Sequence, residues 1–267
     1  MQLTNLPDYD KIPIVESAIN SNRLRRYMPA AEQDIYTAFQ FYAWNCALSE
    51  AFYISLHFAE ILCRNAVQKA LAFKVGDEWF RHKTFVNLLD GRFQSELANA
   101  ISDEQAVHGV RMTQHHVASA LTFGFWEHLT TKRFDRLIWN RGISHNFPGA
   151  HFSTSRQALH DRIESVRRWR NRIAHHQAIF DKDPMRKHQE TVELIHWVCG
   201  VTGAWVSASS RVPGVLALRP KPSARAHPLR KAARRDVRAR PCWVFSQWNG
   251  LSIHSNKARH ATQEISA

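Results

Sequence analysis

The sequence predicts an all-α protein, an expectation that rests on three observations. Period-two alternation of apolar and polar residues is rare, only ten glycines punctuate 267 residues, and apolar side chains recur every three or four positions over long stretches. Hydrophobic residues make up 44% of the chain, with nine Trp and 15 Phe among them, which is enough to fill a large core and excludes global disorder.

The strongest helical segment is 34–73. Phe41, Trp44, Leu48 and Phe52 continue through Leu56, Ala59, Cys63, Val67 and Leu71 at helical spacing, so one long helix or two abutting ones are expected. Gly76 and Asp77 end it, and Trp79, Phe80, Phe85, Leu88 and Leu89 mark packing elements about a turn. A short helix is expected at 93–101. Residues 113–137 read as another helix, with Val117, Leu121, Phe125, Leu129 and Phe134 on its apolar face and Gly124 permitting close backbone approach. Phe123, Phe125 and Trp126 are read as core. Residues 146–155 are loop-like, and the run Ser153, Thr154, Ser155 offers a cap for the next helix. That helix buries Leu159, Ile163, Val166, Trp169 and Ile173, carries Arg162, Arg167, Arg168 and Arg172 around its other faces, and should end before Pro184. A last amphipathic helix at 185–198 closes the bundle.

The formal charge of +13 is unevenly spread. From Arg211 onward there are 12 Lys and Arg against two acids, whereas the preceding 210 residues hold 24 against 21. The same end holds five of the ten prolines. The expected organisation is therefore a lead at 1–13, a helical domain at 14–220 and a basic, irregular tail at 221–267 that touches RNA, membrane phosphates or only solvent. Four cysteines without a CxxC pair suit neither a disulfide scaffold nor a zinc ribbon, and a reducing cytoplasm fits best. The first ten residues do not read as a secretory signal. The most apolar runs, 51–63 and 198–206, fall short of the roughly 20 residues of a spanning helix, so no membrane-spanning helix is expected.

No phosphate loop, dinucleotide fingerprint, nucleophile elbow or HExxH is present. What stands out is Arg170, Asn171, Arg172, Ile173, Ala174, His175 and His176, which put two guanidiniums, an amide and two imidazoles within two helical turns. Imidazole titrates near neutrality and can move a proton to or from a 2′-hydroxyl or 5′-oxygen. Guanidinium holds a phosphate, and an amide orients either. Asn171 and His175 share a helix face, whereas Arg170 and His175 diverge by about 140° on a regular helix, so a second copy across a two-fold axis is expected to complete the site. The bland alternative is a solvated helix end whose cations suit the helix dipole.

The string WRNRIAHHQAIF at 169–180 resembles the Abi-like (abortive infection) branch of the HEPN superfamily, with Arg170, Asn171 and His175 on its R-polar-xxx-H motif. SNRLRRYMP at 21–29, FYAWNCALS at 41–49, EILCRNAVQKAL at 60–71, LTFGFW at 121–126 and SRVPGVLALRP at 210–220 follow the family's order and approximate spacing. The likeness spans about 14–220; Cys63 departs from the aliphatic residue expected there. It implies an all-α HEPN-like bundle with additional helices that often dimerises, and in active members an endoribonuclease needing neither metal nor other cofactor. Such proteins halt translation during phage infection or act as toxins, so RNA, a second copy, and a cognate antitoxin or phage-derived trigger are the implied partners. Arg170, Asn171 and His175 are then the catalytic candidates, extended by His176 and Arg172.

Glu60, Arg64 and Asn65 form a second polar set, read as orienting Arg170 or His175, as touching RNA directly, or as a buried clasp between helices. Glu60 and Arg64 are spaced for an intrahelical pair. No carboxylate or thiolate is read as completing a metal site with His108, His115 and His116, or with His145 and His151. A non-catalytic HEPN module binding RNA or a partner protein, and a nucleic-acid binder working through its tail, are the competing functions.

Overall fold

The computed structural model describes residues 6–221, all within the first of two units of the chain, Met1–Pro222. The tail expected at 221–267 lies outside the described residues except for Lys221. Among the described residues every regular element is helical.

Helices α1 (Ile12–Ile19) and α2 (Ser21–Arg25) meet at Asn20, whose side chain accepts the Asn22 N–H. Ile12 and Leu24 bury themselves against Phe39 at the start of the next helix. That helix, α3 (Ile35–Val75), is one continuous rod of 41 residues. Asp34 caps it by accepting from the Thr37 N–H, and Gly76 ends it at φ +89°, in the left-handed region that a glycine enters without a Cβ penalty. Its buried residues, Leu48, Phe52, Ala59, Val67 and Leu71 among them, are far more apolar than a one-sided surface helix requires, because neighbours cover several of its faces. By length and composition α3 is apolar enough to cross a bilayer, with an 18-residue window of mean hydropathy 1.3, which the shorter run 51–63 within it does not suggest. The core helix of a water-surrounded bundle passes the same test.

Helices α4 (Lys83–Leu88) and α5 (Gly91–His108) follow. The latter runs one to two turns beyond the expected 101, through polar residues that give no hydrophobic period. The single helix expected at 113–137 is instead broken into α6 (Gln114–Ala120), α7 (Phe123–His128), a 3-10 turn at Lys132–Phe134 and a π turn at Asp135–Trp139. The break has a local cause. Leu121 and Thr122 are extended, the Thr122 hydroxyl accepts the Phe125 N–H as a new cap, and the Thr122 N–H donates to Glu96 instead of continuing the ladder. Phe123, Phe125, Trp126 and Phe134 are nevertheless all buried, as expected.

Helices α8 (Arg156–Ala174) and α9 (Pro184–Val198) pack along α3 and each other. Ser155 caps α8 by accepting the Ala158 N–H. Contrary to the expectation, α9 is not last: Cys199 breaks the chain in an extended conformation, and α10 (Gly200–Ser209) and α11 (Val212–Ala217) fold back onto α9 and α3. Gly203 makes the return possible, since a Cβ there would lie 2.5 Å from the His196 ring. The indole of Trp44 then donates to the Val215 carbonyl at 2.7 Å, tying α11 to α3.

Candidate functional site

The arginine helix α8 stands against α3 and α9 through Leu159, Ile163, Val166 and Trp169, all buried, with the Trp169 ring edge-on to Phe52 of α3. Its outward end is shaped by backbone bonds. The His175 N–H donates to the Asn171 carbonyl, the His176 N–H to Ile173 and the Gln177 N–H to Arg172, each at 2.9 Å. This is the two-bond C-terminal motif that usually places glycine in the left-handed position; here His176 occupies it at φ +53°. Two outside contacts hold the turn. Arg23 of α2 donates to the His176 carbonyl at 3.2 Å, and the buried Asn45 of α3 accepts the N–H groups of Ile179 at 2.8 Å and Phe180 at 3.2 Å. Asn45→Ala leaves both N–H groups buried without an acceptor, and the expected loss is about 2–4 kcal/mol of unfolding free energy, read by urea denaturation.

His175 and His176 are consequently exposed, and His175 lines two clefts. The first, about 600 Å³, is lined by Asn171, Arg172, Lys182 and Lys187 and also by the carboxylates of Asp161 and Glu164. The second, about 500 Å³, lies under Arg23, Arg26 and Arg172 and also takes in His176 and Tyr42; no carboxylate is among its lining residues. Arg172 belongs to both. Arg26 is paired with Asp181, so Arg23 and Arg172 supply most of the second cleft's free positive charge.

Arg170 faces elsewhere. Its Nε and Nη2 donate to the two oxygens of Glu60 on α3, at 3.0 and 2.9 Å, and Nη1 donates to the Asn171 amide oxygen at 3.1 Å. Three of its five donors are thus used, and the side chain remains 40% exposed. The sequence-derived candidates therefore separate into linked groups: Asn171, Arg172 and His175 share a cleft, and Asn171 connects them to Arg170 and Glu60. Arg170 itself lines neither cleft. Glu60 does not pair with Arg64, whose Nε donates to Asn65 at 3.3 Å on the surface, so these two stand apart from the rest of the set.

A second polar cluster supports the first cleft. Glu190 of α9 accepts from Ser165 of α8 at 2.6 Å, from Lys187 at 2.8 Å and from Arg186 at 2.9 Å. Burial pushes its carboxyl up, but the hydrogen bonds and the Lys187 charge together outweigh this and hold it at about 2. A carboxyl depressed in the folded state adds stability above its unfolded value and loses it as pH falls toward the folded one. Thermal stability should therefore decline between about pH 4.5 and 2, and Glu190→Gln should flatten that decline in melts taken across the range.

Sequence reasoning missed Arg23, Arg26 and Lys187. The first two sit in a block noted only for its likeness, and nothing in their local pattern signals that α2 folds back onto the end of α8. Compared with known proteins, the chain matches no family model, no curated protein and no solved structure. The likeness to the Abi-like branch thus rests on the ordered residue blocks alone.

Proposed function

We propose that this chain is an Abi-like HEPN endoribonuclease of prokaryotic defence, acting in the cytoplasm as a homodimer and needing no metal for cleavage. The observation that carries the reading is the exposed His175 between two clefts that share Arg172, the second of them lined by Arg23 and Arg26 with no carboxylate. The reaction is attack of a 2′-hydroxyl on the adjacent phosphorus. The 2′-oxygen–phosphorus bond forms, the bond to the 5′-oxygen breaks, one imidazole takes the 2′ proton and another delivers a proton to the leaving 5′-oxygen. His175 fills one of these roles. The second imidazole is His176 of the same cleft or His175 of the second copy. Arg172 and Arg23 hold the strand, Asn171 orients the phosphate or the imidazole, and Arg170, fixed by Glu60, positions Asn171 by donating to its amide oxygen.

The products must carry 2′,3′-cyclic phosphate and 5′-hydroxyl ends. Mapping both ends of a labelled RNA after incubation in EDTA checks this; 3′-hydroxyl and 5′-phosphate ends would overturn the mechanism.

One observation favours a second reading, a non-catalytic module binding RNA or a partner protein: Arg170 is occupied by Glu60 and lies outside both clefts. Expression separates the two. The nuclease slows host growth and the His175→Ala variant does not, whereas a binding module affects growth alike with or without His175.

A further inference from the structure

The junction of α5 and α6 brings together three side chains that the spacing of the histidines does not reveal. Glu104 and His108 are one turn apart on α5, with the His108 Nε2 3.2 Å from a Glu104 oxygen. His116 enters from α6, its ring stacked on His108 with centroids 3.8 Å apart. One donor atom from each of the three lies within 4.8 Å of the other two, and all three residues are half-buried. Carboxylate and imidazole are the donors of borderline divalent ions such as zinc.

We propose that Glu104, His108 and His116 form a binding site for a zinc-like divalent cation that staples α5 to α6, with a water in the fourth position. Bond lengths of about 2.0–2.2 Å put neighbouring tetrahedral ligands roughly 3.3 Å apart. Side-chain rotations that unstack the two rings and turn their lone pairs inward close the trio around an ion. The frame is fixed beforehand on the α6 side. Gln114 accepts from the Trp79 indole at 3.0 Å and from Gln68 of α3 at 3.2 Å, and donates to Asp77 at 2.7 Å, which holds the first turn of α6 against the core. Such anchoring lowers the ordering needed on binding.

One interaction opposes uptake. The His116 Nδ1 accepts the Thr113 N–H at 3.2 Å as half of a capping box, so the neutral ring carries its proton on Nε2. Coordination through Nδ1 uses that lone pair directly, and coordination through Nε2 moves the proton to Nδ1. Either way the cap bond is exchanged for the metal bond. The site is a reversible one that the apo fold does not depend on. It lies on α5 and α6, away from the α8 clefts, and the ion takes no part in RNA cleavage.

The test is calorimetric titration of the chelator-stripped, chelator-free full chain with zinc chloride, beside His108→Ala, His116→Asn and Glu104→Gln. The expected result is one tight site per chain that raises the wild-type Tm, with affinity at least about tenfold weaker in each variant and the zinc-dependent Tm rise lost. His57→Ala should bind as wild type does. Equal affinity in wild type and the three variants would assign the binding to other histidines and overturn the proposal, as would no uptake by the wild type. Circular dichroism without zinc should superimpose for all chains, so a folding defect in one variant leaves the other two to decide.

Discussion

Replacing His175 with alanine is expected to lower RNA cleavage by about a hundred- to ten-thousand-fold, the range a positioned general acid or base supplies. Thermal unfolding should stay within roughly 0.5 kcal/mol of wild type, because an exposed side chain away from a packing or capping role contributes little. The helix end is closed by the backbone N–H of His175 and not by its ring. The combination is what discriminates. Loss of activity with loss of fold would place His175 in the architecture, and retained activity would remove it from the chemistry. Arg172→Ala should weaken RNA binding while leaving the end groups of the product unchanged, since Arg172 faces both clefts as a holder of charge.

The largest stability effect is expected at Phe52. Its ring is wholly buried and meets Trp169 of α8 edge-on at 5.4 Å and His188 of α9 at 6.1 Å, so one side chain joins the three central helices. Phe52→Ala should cost about 3–5 kcal/mol, from lost transfer and the cavity left behind. The measurement is the denaturation midpoint with the slope checked for constancy. Because Trp169 precedes Arg170 and fixes the rotation of α8, RNA cleavage by the surviving folded fraction should fall as well.

Much of this architecture was legible because burial imposes period. The 41-residue α3 and the five-residue stripe of α8 declare themselves through apolar spacing, and an end of each is marked, for α3 by Gly76, which lacks a Cβ, and for α8 by the Ser155 hydroxyl. The break at Leu121–Thr122 was not legible. Its apolar spacing continues through the gap, and the acceptor that releases Thr122 from the helix, Glu96, is supplied by another element. The second half of α5 carries no apolar stripe, so its extent is invisible to periodicity, and with it the one-turn relation of Glu104 to His108. Likewise the return of α10 depends on Gly203 resting against His196, a fit that spacing does not encode.

The site divides in the same manner. Asn171 and His175 could be placed together from helix geometry alone, and the cleft they share also takes in Arg172. The divergence of Arg170 from His175 was equally predictable, and the structure gives it a partner in Glu60, one of the two roles foreseen for that carboxylate. What sequence could not supply is the tertiary contribution of Arg23 and Asn45, which reach the end of α8 from more than a hundred residues away.

The central claim is that His175 makes this chain an RNA-cleaving protein. The most direct measurement is side-by-side incubation of purified wild type and His175→Ala with total RNA and a tRNA panel in EDTA, resolved on a denaturing gel. Cleavage by the wild type and none by the variant is the predicted result. Equal cleavage by both, or none by either, would contradict it.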